Sequence, residues 1–228
     1  MKLARFLANF AFYIYPILLI LTIIIAEATL PLSDKRYFYS EFGAIELAHE
    51  FMLLVSFLFG IWLVSKVKPT ENKWLKIWIG LIAAGCFLSL GEEISWGQTF
   101  FDWQTPEEWA ALNGQGETNF HNMSHWLNQL PKAVFEIGVL IGGIILPQMN
   151  KYKPHKLPAK FSAIYADRQV LPTAILALII KILELAPGKL GIEIFWRKSE
   201  VIESVLFHFA LVYMISIAFK WKREGRLE

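Results

Sequence analysis

Long apolar stretches separated by short polar ones run the length of the chain, at about 6–28, 42–64, 74–91, 132–149, 169–187 and 200–219. Each approaches the roughly 20 residues that a helix needs to cross a bilayer. The pattern predicts an all-α fold, a polytopic membrane bundle of about six transmembrane helices. It forms one integral membrane domain over 1–228, with a long loop over 92–131. The fifth stretch is the weakest because it contains Lys181 and Glu184, which at i, i+3 can pair. The first follows Lys2 and Arg5 as in a signal peptide. Its apolar run from Phe6 to Ala26 is too long for that and lacks an A-x-A exit, so it reads as a retained helix. Small residues on the fourth stretch (Gly138, Gly142, Gly143) and on the third (Gly80, Ala84, Gly85) predict close helix crossings.

Composition agrees with the pattern. The chain is 55% hydrophobic and 18% charged, with a mean hydropathy of +0.43, whereas a soluble domain is about a quarter charged. A net charge of +2 is too small to suggest nucleic acid as a partner. The single cysteine, Cys86, excludes a disulfide framework and a Cys metal site, and reads as a small buried packing residue. The absence of a nucleotide-binding motif argues against an ATP-driven process in this chain.

Charge gives the bundle a direction. Lys2, Arg5, Lys66, Lys68, Lys73, Lys76, Lys151, Lys153, Lys156, Lys160, Arg168, Lys220, Lys222, Arg223 and Arg226 all fall on one side of the predicted membrane, 15 of the 22 basic residues. By the positive-inside rule this side is cytoplasmic and carries both termini. The expected location is a cell membrane, a bacterial inner membrane. The acids Glu71, Asp167, Glu224 and Glu228 share that side, and the other 16 of the 20 lie outside or toward the outer helix ends.

The candidate chemistry lies at that outer depth. Glu46, His49 and Glu50 are spaced i, i+3, i+4 within an apolar run, so they share one helix face. A charge at membrane depth costs about 2.5–3.5 kcal/mol, so this face needs a use or a partner. The third span ends at Glu92-Glu93, adjacent acids that cannot both point the same way. Glu136 lies about a turn into the fourth span, and Glu203 and His208 lie in the first turns of the sixth. In the loop, His121 and His125 form an H-x-x-x-H pair that can converge on one ion.

The loop is too aromatic for a tether. Thr105-Pro106-Glu107-Glu108 predicts a helix with Thr105 as N-cap, Pro106 at the first position and Glu108 completing a capping box, ending at Asn113-Gly114. Phe100, Phe101, Trp103 and Trp109 suit the headgroup level. A second helical piece is expected around Asn122–Gln129. The run GEEISWGQ, followed by that capped helix and GQGETNFHN, resembles a recurring signature of uncharacterised multi-pass bacterial membrane proteins, over roughly 91–122. The resemblance brings no activity with it. In its H-x-x-x-H pair the chain also resembles, more loosely, the ceramidase-like and adiponectin-receptor-like membrane hydrolases, which hold zinc by three histidines. That likeness is one of chemistry; the number of spans and the position of the pair differ.

Four readings compete. A metal site would draw His49, His121, His125 and His208 as ligands for Zn2+ or another divalent metal. A di-iron site would need a second Glu-x-x-His beside Glu46-x-x-His49, and the chain has none. Metal-free acid–base chemistry would rest on Glu92, Glu93, Glu46 and Glu50, with Ser95 and Ser204 as possible nucleophiles. A purely cohesive polar network gains little, since interhelical hydrogen bonds in membranes average about 0.6 kcal/mol. The leading expectation is an enzyme of the outer leaflet acting on a lipid or lipid-linked substrate by hydrolysis or group transfer. Glu136 and Glu203 would be the carboxylates that orient its histidines. The alternatives are a transporter or ligand-binding membrane protein using the same cluster for a proton or cation, and an assembly factor. Against transport, the sequence shows no internal repeat.

Overall fold

The computed structural model describes residues 2–113, 116–120, 123–185 and 195–228, with the side chains of His125 and Asn128 outside that description. Among the described residues the chain is helical, and its one extended pairing is the bridge between Val67 and Leu227. Helix α1 covers Lys2–Thr29, α2 Leu32–Phe38, α3 Ala44–Lys66 and α4 Lys73–Glu93. Helix α5 runs from His125–Gly138 through Val139–Ile145 to Leu146–Tyr152. Helix α6 is Leu171–Leu185 and α7 is Lys198–Arg223. Five of these (α1, α3, α4, α5 and α7) are long and apolar enough to cross a membrane, and the protein is a multi-pass helical membrane protein.

Two predicted spans begin or end elsewhere than expected. The described part of the fifth, α6, has 15 residues, about 22 Å at 1.5 Å per residue, less than a full crossing. The fourth starts at His125, before the expected 132, because Ser124 caps it by accepting from Leu127 N at 3.2 Å. Two π-helical stretches, Phe10–Ile14 and Val139–Ile145, each sit just before a proline, Pro16 and Pro147. A proline has no N–H for the carbonyl four residues back, and the turn widens.

Helix α7 is the centre post. In its most apolar window 83% of residues are buried, against 22–33% for the other four long helices. Those four turn large apolar side chains outward, including Ile17, Phe51, Leu81 and Ile137. Such a surface belongs against lipid. Two glycines allow close helix crossings. A Cβ on Gly60 of α3 would stand 2.7 Å from the Ala83 Cβ on α4, and one on Gly143 of α5 would stand 2.7 Å from the Ala174 Cβ on α6. The crossing expected at Gly80, Ala84 and Gly85 is not there: Gly80 and Gly85 face open space and Ala84 is exposed. Ala83, one residue away, makes that contact. Cys86 is buried in a small apolar cluster with Leu53, Phe207 and Ala210.

Candidate functional site

The first turns of α3 and α7 face each other across a buried contact. His49 is 1% exposed. Its Nε2 lies 2.7 Å from Ser204 Oγ, and that hydroxyl donates to the Glu200 carbonyl at 2.9 Å. Nδ1 has no hydrogen-bond partner; the Glu46 carboxylate stands 3.6 Å from it. The carboxyls of Glu46 and Glu200 adjoin each other, and Glu200 Oε1 also accepts from Arg197 at 3.1 Å. One ligand atom from each of Glu46, His49 and Glu200 falls within 4.8 Å of the others. Glu93, at the end of α4, lies in the field of Glu203, Glu46, Glu200 and Glu50. The edge of Phe207 closes on the imidazole, with ring centroids 5.3 Å apart.

A ladder of alternating charge leads sideways from this group. Glu203 meets Lys132 at 3.5 Å, Lys132 meets Glu184 at 3.2 Å, Glu184 meets Lys181 at 2.8 Å and Lys181 meets Glu136 at 2.9 Å. The expected Lys181–Glu184 pair is therefore one rung of a longer structure. Glu136 and Glu203 do not orient histidines as the sequence suggested. Glu136 meets a lysine, while Glu203 meets Lys132 and accepts from Ser199 at 2.9 Å. Ser204 orients His49 instead. His208, one turn beyond Ser204, donates through Nε2 to the Ala11 carbonyl at 2.9 Å and packs on Tyr15. It fastens α1 to α7 and stands outside the Glu46–His49–Glu200 group. His121 and the side chain of His125 lie outside the described residues, so their pairing has no structural counterpart here.

Glu92 and Glu93 diverge. Glu92 accepts from the Trp96 indole at 2.8 Å and from Phe120 N at 2.7 Å, which commits it to the loop. The two halves of the loop signature prove to be partners. Asn119 donates to Ser95 Oγ at 2.9 Å and to Glu117 at 2.6 Å, and Asn113 donates to Asn119 Oδ1 at 2.9 Å. Gln98 accepts from Thr118 N at 2.7 Å and donates to Thr105 at 2.9 Å. Ser95, Trp96 and Gly97 all carry positive φ, a run that costs about 1–2 kcal/mol at each non-glycine residue. The bonds to Glu117 and Asn119, and the seat of the Trp96 ring on Gly91, hold it. Thr105 is not the N-cap expected of it: its hydroxyl donates to the Gly116 carbonyl at 2.6 Å, and the helix that follows, Glu107–Ala110, is a single turn. A second acid pair links loop and bundle. Glu41 hydrogen-bonds Glu117, and its pKa is raised by partial desolvation and then by the charge of Glu117.

Comparison with protein-family models, with curated proteins and with solved structures gives no match. The functional argument therefore rests on the site. Sequence reasoning missed Glu200 as a site residue. Its only signal was a place on the face shared with Ser204, four residues on.

Proposed function

We propose that the protein is an integral membrane enzyme that acts on a lipid or lipid-linked substrate, by hydrolysis or group transfer, with its acidic end at the extracytoplasmic leaflet. One observation carries the reading: a buried imidazole with an unpartnered Nδ1, set among carboxylates from α3, α4 and α7. A carboxylate in such surroundings takes or gives a proton at a reacting group. Glu93 and Glu50 are the residues for that role, beside His49. The positive-inside bias of the opposite end supports the orientation. A hollow of about 230 Å³ between α5, α6 and α7 supports the lipid substrate. Its walls include Ile137, Leu140, Leu178, Ile202 and Leu206, and suit an acyl or isoprenoid chain. Glu136 and Lys181 in the same lining belong to the ladder that leads back to Glu203.

A second reading, movement of a proton or cation, is favoured by that ladder, because alternating acids and lysines within a bundle can relay charge. The test is reconstitution of the full chain in vesicles of bacterial lipid extract, with lipid species followed by mass spectrometry. The enzyme reading expects at least one lipid or lipid-linked species to be converted, and conversion to stop in Glu93→Gln. Unchanged lipids together with a Glu93-dependent ion flux would replace the enzyme with a transporter.

A further inference from the structure

We infer that Glu46, His49 through Nδ1, and Glu200 form a binding site for one first-row divalent cation, with Ser204 as the positioning residue that turns Nδ1 toward it. The inference rests on the proposed enzymatic reading only for the use to which the ion is put.

In the proposed site Ser204 Oγ gives its one proton to the Glu200 carbonyl, 2.9 Å away. Toward His49 it is therefore an acceptor, and Nε2 carries the imidazole proton. The remaining nitrogen, Nδ1, presents a bare lone pair. It is buried, lacks a hydrogen-bond partner and faces the Glu46 carboxylate. A lone pair aimed at a carboxylate is repulsive unless a cation lies between them. The separation of 3.6 Å is too long for a hydrogen bond. It is close to the ~3.4 Å that separates two ligands of one ion bound at about 2.0–2.2 Å with tetrahedral angles. The Glu200 carboxylate, whose Oε1 also accepts from Arg197 at 3.1 Å, completes a three-ligand group within the same small volume. A histidine whose other N–H is held by a neighbouring oxygen is the usual arrangement at a protein metal site.

The donor set names the class of ion. One imidazole nitrogen and two carboxylate oxygens suit Zn2+ or Mn2+ better than Mg2+ or Ca2+, which prefer oxygen throughout. The carboxylates of Glu46 and Glu200 are 16% and 13% exposed, so the group is partly open to entry. The rival arrangement is a Ser204–His49–Glu46 triad. It would need the Ser204 proton on Nε2 and a hydrogen bond from Nδ1 to Glu46, and the second is missing.

The experiment is titration of the chelator-treated, detergent-solubilised full chain with Zn2+, Mn2+ and Mg2+ by calorimetry, with Co2+ absorption spectra as a report on the ligands. Wild type should take up one Zn2+ or Mn2+ in preference to Mg2+. His49→Gln and Glu200→Gln should weaken uptake at least 100-fold. Ser204→Ala should weaken it about 10–100-fold and alter the Co2+ spectrum, and Ser204→Thr should restore both. The double variant His121→Ala/His125→Ala should bind as wild type does. Equal metal-free melting temperatures for Glu200→Gln and wild type would show that lost binding is not lost folding. The inference is overturned if wild type binds no ion, if binding survives both His49→Gln and Glu200→Gln, or if it disappears with His121 and His125. Labelling of Ser204 by a fluorophosphonate would overturn it in favour of the triad. Lipid turnover that persists in the metal-free protein would take the ion out of the reaction and leave the enzyme; a bound ion without turnover would keep the site and remove the enzyme.

Discussion

At the C-terminal end of α7 the buried and half-buried charges meet their partners. The Lys220 ammonium donates to the carbonyls of Ser162 and Tyr165, and the Trp221 indole donates to that of Ala163. Arg223 meets Asp167, and Arg226 meets both Glu71 and Glu224. Backbone bonds from Lys68 N to the Arg226 carbonyl and from Glu228 N to the Lys66 carbonyl stitch the tail to the end of α3. At the N-terminal end of the same helix Glu200 meets Arg197 and Glu203 meets Lys132, but a buried imidazole nitrogen is left facing a carboxylate at no hydrogen-bonding distance. Both ends lie on one continuous helix, so helix propensity does not explain the difference. A region that only closes a fold gains from satisfying its polar groups, since each buried group left unpaired costs about 1–3 kcal/mol. The basic end follows that rule. The acidic end departs from it in a way that a bound cation or a reacting group would correct.

The largest expected effect is on turnover. Glu93→Gln should lower lipid conversion about 100-fold or more, the range of a lost general acid or base. Its melting temperature should stay within a few degrees of wild type. The basic end should behave oppositely. Lys220→Ala leaves two carbonyls without their ammonium and should cost about 1–3 kcal/mol of stability, read as a lower melting temperature, with turnover per folded molecule unchanged. A loss of stability in Glu93→Gln as large as that in Lys220→Ala, with turnover intact, would make the acidic end another cohesive network and erase the contrast.

The sequence reveals this contrast only in part. Span positions are legible because hydropathy along a helix depends on local composition. The centre of the bundle is not: α3 and α7 share a hydropathy of 2.0, yet 33% of one window is buried and 83% of the other. Which helix is surrounded depends on partners distant in sequence. Glu46, His49 and Glu50 stand out because ionisable groups in an apolar run are costly wherever they point. Glu200 does not, because it sits where a span begins and acids are common. Its role depends on Ser204 meeting His49 across 155 positions, a pairing that no local spacing encodes. The loop signature is an intermediate case. Its two halves are recognisable as strings, but their meaning is the bonding of Ser95 and Gln98 to Thr118 and Asn119.

That bonding gives the next prediction in size. Asn119→Ala removes donors from Ser95 and Glu117 and an acceptor from Asn113, a local cost of about 1–3 kcal/mol. The bundle buries none of its apolar core through these contacts, so the loss should appear as faster protease cleavage within 95–120 and not as a lower melting temperature. Cleavage unchanged from wild type would mean that the loop is held by its aromatic contacts, such as Trp109 on Phe120, more than by its polar knot.

The smallest effect belongs to the acid pair that joins the loop to the bundle. The Glu41 pKa is raised in the folded protein, first by partial desolvation and then by Glu117. A raised carboxyl pKa means that the folded state binds the proton more tightly than the unfolded one. The stabilising contribution is therefore fully present below the unfolded value, near 4.5, and is lost as pH rises through the higher folded value. Wild-type loop protection should weaken from pH 4 to pH 8. Glu41→Gln keeps a neutral hydrogen-bonding group at every pH and should lose that dependence, protecting the loop better than wild type at pH 8 and about equally at pH 4. Hydrogen exchange of loop amides at the two pH values, corrected for intrinsic rates, measures the difference. If the variant matched wild type at both, the Glu41–Glu117 contact would not link the loop to the acidic end. Acid crowding would then be confined to the residues around His49, which would sharpen the contrast with the basic end.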